Sequence, residues 1–251
     1  MNWMKKVAVA LVCLLPLGLQ AAKVDTLQVK SPSMNKSIEV VVVSPDMAAT
    51  EACPVIYLLH GYGGNARTWV GIKPDLPKIA DEKGIFFVCP DGKNTWYWDS
   101  PLNADVRYET FISDELVKYV DSHYKTVADR KGRAITGLSM GGHGAMWNGL
   151  RHSDVFSAAG STSGGVDIRP FPKNWEMSVQ IGEKAKYPEN WEKYTVINLV
   201  PTLRKDQIAL IFDCGDSDFF LEVNKNYHEA LLKQGIDHDF ITRPGLSLIH
   251  I

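Results

Sequence analysis

The sequence predicts an α/β protein, a mostly parallel, doubly wound sheet flanked by helices. Three observations carry this. Strand-like apolar runs alternate with helical patterning from residue 54 to residue 242, and such alternation implies parallel strands joined by right-handed crossovers. Residues 54–59 are continuously apolar, as expected of a central strand buried on both faces. Gly137-Leu138-Ser139-Met140-Gly141 follows the short run 134–136 and precedes the helix-favouring stretch 145–150. That is Gly-x-Ser-x-Gly between strand and helix, the nucleophile-elbow pattern.

The 251 residues, 45% hydrophobic and 22% charged, suit one globular domain. Residues 1–22 read as a secretory signal peptide. Lys5 and Lys6 form the charged region, 7–19 the apolar core, and Ala21-Ala22 a small-residue cleavage site. The apolar run is short for a membrane span. The expected mature chain is therefore residues 23–251, secreted or periplasmic, with no membrane attachment after cleavage. Removing Lys5 and Lys6 takes the formal charge from −2 to about −4. A mildly acidic chain has no electrostatic footprint for nucleic acid. Cys53, Cys89 and Cys214 remain, each in or beside an apolar run, and their spacing describes neither a disulfide framework nor a zinc site.

In chain order, residues 24–29 and 36–44 read as two antiparallel strands, the second strongly β-branched. The strand at 54–59 ends in His60-Gly61-Tyr62-Gly63-Gly64. A helix is expected over 74–83 with Gly84 as its stop, then a strand over 84–90. Residues 105–124 carry apolar side chains at helical spacing. The elbow strand is expected at 132–136 and another strand at 156–159. Residues 165–205, rich in Pro, Lys, Glu and Trp, read as an insertion of short helices over the sheet. A strand at 207–212, a helix at 221–234 and a last strand at 239–242 complete the domain.

In such a sheet the site lies off the carboxyl ends of the strands. A serine hydroxyl attacks well only when it is held exposed, beside a base and near donors for the developing oxyanion, and the elbow supplies that geometry to Ser139. The glycine-rich loop after the strand at 54–59 offers the amide of Tyr62, which with the amide of Met140 makes an oxyanion hole. Asp213, Asp216 and Asp218 compete as the acid that orients a catalytic histidine. Asp218 is preferred because it begins the turn into the following helix. Read instead as a calcium loop, these acids lack the remaining ligands and the closing glutamate. No other His, Asp or Glu cluster has ligand spacing, so neither metal nor cofactor is expected. His60, Trp96 and Trp98 are candidate substrate-binding residues, and Trp175 and Trp191 of the insertion are candidates to cover the pocket, since aromatic walls suit a mostly apolar site. The base is unassigned. His228 falls in a helix, His238 precedes the last strand, and His250 follows it by several residues.

Together the motifs Tyr57-Leu58-Leu59-His60-Gly61-Tyr62-Gly63-Gly64, Pro90-Asp91-Gly92, Gly137-Leu138-Ser139-Met140-Gly141-Gly142 and Cys214-Gly215-Asp216-Ser217-Asp218-Phe219 resemble the esterase D and feruloyl-esterase branch of the α/β-hydrolases, over residues 24–245. The resemblance implies an α/β-hydrolase fold and Ser139 as nucleophile. It also implies Asp218 as triad acid and the Tyr62 and Met140 amides as oxyanion donors. Its implied activity is hydrolysis of a small-molecule or polysaccharide ester through an acyl-enzyme, with acetyl or feruloyl esters as substrates. An acyltransferase of the same fold, or a binding protein that lost its base, are the alternatives. Members of that branch place Gly-His and an aromatic residue after Pro-Gly, where this chain has Leu246 and Ser247. The expectation is therefore a chain truncated near Gly245, lacking the triad histidine and final helix.

Overall fold

A computed structural model describes residues 22–245. Residues 1–21 of the expected signal peptide and His250 lie outside the described residues.

Among the described residues eight strands form one sheet in the order β1-β2-β4-β3-β5-β6-β7-β8. β1 (Lys23–Ser31) and β2 (Lys36–Ser44) pair antiparallel, and β2 pairs antiparallel with β4 (Phe86–Pro90). From β4 onward every pairing is parallel, through β3 (Val55–Leu59), β5 (Arg133–Gly137), β6 (Ala158–Thr162), β7 (Ala209–Gly215) and β8 (Asp239–Arg243). The expected α/β-hydrolase sheet is present. Every residue of β4 is buried, as is all of β3 except the half-buried Ile56, which explains their lack of polar alternation.

The helices are α1 (Thr68–Ile72), α2 (Leu76–Lys83), α3 (Tyr108–Thr110), α4 (Leu116–His123), α5 (Met140–Arg151), α6 (Met177–Ile181), α7 (Pro188–Lys193) and α8 (Leu221–Gln234). α2 ends at Gly84 in the left-handed conformation, φ 62°, so β4 starts two residues later than the apolar run suggests. α3 and α4 are joined through a π-helical turn, Phe111–Glu115, into one continuous helix. α1 is too short to show a period and leaves no sequence signal. β6 and β7 each run three residues past their expected ends. Their ladder continues through Thr162 and Asp213, and that of β7 with β8 through Gly215, so backbone pairing rather than side-chain polarity sets where they stop.

α5 is buried from Met140 to Leu150. Glu109 of α3 locks it, accepting from Trp147 Nε1 at 2.8 Å and Arg151 Nε at 2.7 Å, with His152 Nε2 at 2.9 Å. The insertion carries α6, α7 and a 3₁₀ turn, Val196–Thr202. Trp191, expected to cover the pocket, is instead fully buried and donates to the Gly182 carbonyl at 2.8 Å, so it holds the insertion together. Cys53, Cys89 and Cys214 are buried and form no disulfide among the described residues. Among the described residues no helix is long and apolar enough to cross a membrane.

Candidate active site

Ser139 stands between β5 and α5 with φ 56° and ψ −118°. A non-glycine residue holds that backbone only when its surroundings over-determine it. Here the Ser139 N–H donates to the Thr162 carbonyl at 2.9 Å, and Leu138 N–H to Leu59 at 3.3 Å. Gly141 lies where a Cβ would stand 2.6 Å from the His60 carbonyl oxygen, so the elbow packs directly on the end of β3. A Cβ on Gly61 would come within 3.5 Å of Ser139 Cβ, which sets the loop after β3 beside the serine.

That loop is fixed from inside by His60. Its Nε2 accepts the Gly92 N–H at 2.9 Å, leaving the proton on Nδ1, which donates to the Gly61 carbonyl at 2.7 Å. Gly64 N–H adds a second donor to the same carbonyl at 3.0 Å. Pinning the Gly61 carbonyl orients its peptide plane and thus the Tyr62 N–H, which points the opposite way within that plane. Met140 is the first residue of α5, whose leading N–H groups have no intrahelical acceptor. Neither the Tyr62 nor the Met140 N–H meets an acceptor among the described residues.

Of the three acids, Asp213 lies in β7 and accepts from Arg243 at 3.2 Å, while Asp216 is exposed and accepts the Gly245 N–H at 2.8 Å. Asp218 is 6% exposed, and its Oδ1 accepts the Phe220 N–H at 2.8 Å in the turn before α8. The described histidines are all engaged: His60 as above, His123 with Tyr119, His143 with Gly165, His152 with Glu109, and His228 with His238.

Three candidate substrate contacts lie in the core. Trp96, Trp98 and His60 are each at most 1% exposed. Trp96 and Trp98 stack on each other at 5.7 Å and on the ring of His143 edge-on at 5.2 and 5.0 Å, so they back the site from the core. A sequence of alternating indoles after a strand end reads equally as wall or as core, and here it is core. Among the described Phe, Trp and Tyr residues the exposed ones are Tyr62, 38%, and Phe219, 44%. The half-buried Trp175 stacks on Phe219 at 5.3 Å. Sequence reasoning misses Phe219, whose one signal is its place directly after Asp218.

His143, one turn past Ser139, is completely buried. Its Nδ1 donates to the Gly165 carbonyl at 2.9 Å, and Nε2 has no partner among the described residues. Burial lowers its pKa from 6.5 to about 4, against the opposing pull of the Gly165 carbonyl. Between those values the unfolded chain binds the proton and the folded chain does not. Stability is therefore complete above pH 6.5 and is lost as pH falls through that window, by up to about 3 kcal/mol. Thermal melts are expected to show Tm falling from pH 7.5 to 4.5, with a shallower fall in His143→Asn. Equal slopes in the two proteins would sink the assignment.

A separate cleft of about 600 Å³ lies at the amino ends of β6 to β8, lined by Arg130, Ser157, Asp206 and His238. Ser139 is at the opposite, carboxyl end, where ligands of open α/β sheets bind.

Residues 31–235 match the family model Esterase, described as "Putative esterase". The chain belongs to this esterase family. It is 30% identical over 248 residues to an esterase of Mycobacterium tuberculosis, covering 87% of this chain and 54% of that protein; the chain thus spans about half the length of that relative. It is 26% identical over 206 residues to an acetyl esterase of Caldicellulosiruptor saccharolyticus, covering 75% and 74% of the two chains. A solved ferulic acid esterase superposes with TM-score 0.74 at 29% identity over 90% of this chain and 91% of that one. A serine hydrolase of Staphylococcus aureus, FphF, shares the fold with TM-score 0.79 at 19% identity, covering 91% and 92%.

Proposed function

We propose that this esterase is an exported serine carboxylic-ester hydrolase that works through an acyl-enzyme on acetyl or feruloyl esters of polysaccharide. The observation that carries the reading is Ser139, strained at the elbow and flanked by two amides, Tyr62 and Met140, that have no acceptor of their own among the described residues. Backbone N–H groups held beside a nucleophile and free of protein acceptors are available to a developing oxyanion.

In the proposed reaction Ser139 Oγ attacks the ester carbonyl carbon and gives up its proton to a base. The carbonyl oxygen becomes an oxyanion facing the two amides. The C–O bond to the alcohol then breaks, the alcohol leaves with the proton, and water repeats the sequence to release the acid. Asp218 orients the imidazole of the base. The acetyl and ferulic acid esterases among its relatives and structural neighbours favour those acyl groups. The Trp175–Phe219 pair beside Asp218 offers an aromatic face that suits either a feruloyl ring or a sugar. The apolar leader at 7–19 supports export.

The test is hydrolysis of p-nitrophenyl acetate and methyl ferulate, with mass mapping of a fluorophosphonate adduct. Turnover of at least one ester and an adduct on the peptide holding Ser139 are expected. Absence of both turnover and adduct overturns the reading.

A further inference from the structure

Trp175 and Glu176 are consecutive non-glycine residues in the left-handed region, φ 49° and 54°. Two such residues in a row are held only by their surroundings, and strain of this kind concentrates at functional sites. The buried Met177 anchors them from the next position, with its N–H on the Asn174 carbonyl at 3.3 Å. The twist sends the two side chains to different parts of the site. Trp175 stacks on Phe219 at 5.3 Å and meets Phe220 at a tilt at 5.2 Å, next to Asp218. Its carbonyl also accepts from Trp96 Nε1 at 3.1 Å. Glu176 reaches the loop after β3. Its Oε2 accepts from Asn94 Nδ2 at 3.3 Å, and Asn94 Oδ1 accepts the Gly63 N–H at 2.9 Å. The carboxylate also stands beside the Tyr62 phenol, whose pKa is raised by burial first and by Glu176 second.

Tyr62 is thereby flanked by two restrained peptides. His60 fixes the one before it through the Gly61 carbonyl, and Asn94 fixes the one after it through the Gly63 N–H. Gly63 itself, at φ 76° and with open space where a Cβ would be, supplies no steric restraint.

We infer that Glu176 is a positioning residue for ester hydrolysis, holding the Tyr62–Gly63 peptide through Asn94 so that the Tyr62 N–H stays aimed at the oxyanion. This rests on the esterase reading above. The insertion that covers the site is then also the element that completes its oxyanion loop, and a substrate that displaces the insertion loosens the donor it needs.

Glu176→Ala, Glu176→Gln and Asn94→Ala are compared with the parent by steady-state kinetics and by amide hydrogen exchange at Gly63. Loss of one exposed hydrogen-bond relay corresponds to about a fivefold effect. Glu176→Ala is expected to lower kcat about fivefold with KM within about twofold, and to speed Gly63 exchange by a similar factor. Glu176→Gln keeps an acceptor oxygen and is expected to recover most of both. The double variant Glu176→Ala/Asn94→Ala is expected to be little worse than either single change, since both break one relay. Unchanged Gly63 exchange in Glu176→Ala overturns the inference, as does faster exchange with kcat unchanged or with the loss confined to KM. A parent protein without turnover or serine adduct refutes the esterase reading instead, while Gly63 exchange still decides whether Glu176 restrains the loop.

Discussion

Ser139→Ala is expected to reduce kcat for p-nitrophenyl acetate by about four to six orders of magnitude, while leaving Tm within about 2 °C of the parent. The size follows from the role. In the proposed mechanism no covalent intermediate forms without Oγ, and what remains is water attack on an ester held near two amide donors. That residue of catalysis comes from binding and the oxyanion hole alone. The small change in stability follows from position. The Ser139 backbone bond to Thr162 survives the substitution, and its side chain makes no cap bond to α5. Alanine still carries the positive-φ strain, so no strain is relieved. Single-turnover assays under excess enzyme separate loss of chemistry from slow product release. Turnover that persists within tenfold of the parent would remove Ser139 from the mechanism and redirect attention to a water-based route.

How much of the fold and site is legible in the sequence depends on the signal each residue carries. The elbow is readable because chemistry imposes a spacing, two glycines bracketing a serine between an apolar strand and a helix. β2 and α8 are readable at their full bounds, the first from its run of β-branched residues and the second from its period and its closing Gly235. The indoles of Trp96 and Trp98 are misplaced by sequence because it cannot say which way a buried-type side chain faces; the answer lies in His143, which wedges against both from α5. Glu176 is illegible for a different reason. Nothing in the local sequence marks a left-handed Trp-Glu pair, and its partners Asn94 and Gly63 are brought to it only by tertiary folding. His60 stands in the expected loop but serves it differently. Its neighbours suggest a substrate contact, and the structure turns both ring nitrogens inward.

The close packing of the elbow on the end of β3 makes Gly141→Ala the substitution with the largest expected effect on stability. A Cβ there would sit 2.5 Å from the Leu59 carbonyl carbon and 2.6 Å from the His60 carbonyl oxygen. Both are backbone atoms at the end of a buried strand, so no rotamer change can absorb the overlap. Either β3 or α5 must move. β3 is held by ladders to β4 and β5 on its two sides, and α5 is locked through Glu109. A destabilisation of about 3 kcal/mol is expected, read as a fall in Tm of about 6–12 °C. The same shift displaces His60 and with it the Tyr62 amide, so kcat is expected to fall as well, by about 10² if the donor moves by about 1 Å. Gly71→Ala is the matched control. Gly71 lies in α1, and a Cβ added there would meet nothing within 4 Å. Alanine in a helix is also more favourable than glycine by up to about 1 kcal/mol. The two substitutions are therefore expected to differ in sign: Gly141→Ala lowers Tm, while Gly71→Ala leaves it unchanged or raises it. If Gly141→Ala melts with the parent and retains its kcat, the contact between elbow and strand end is not what holds Ser139 and the oxyanion loop in register.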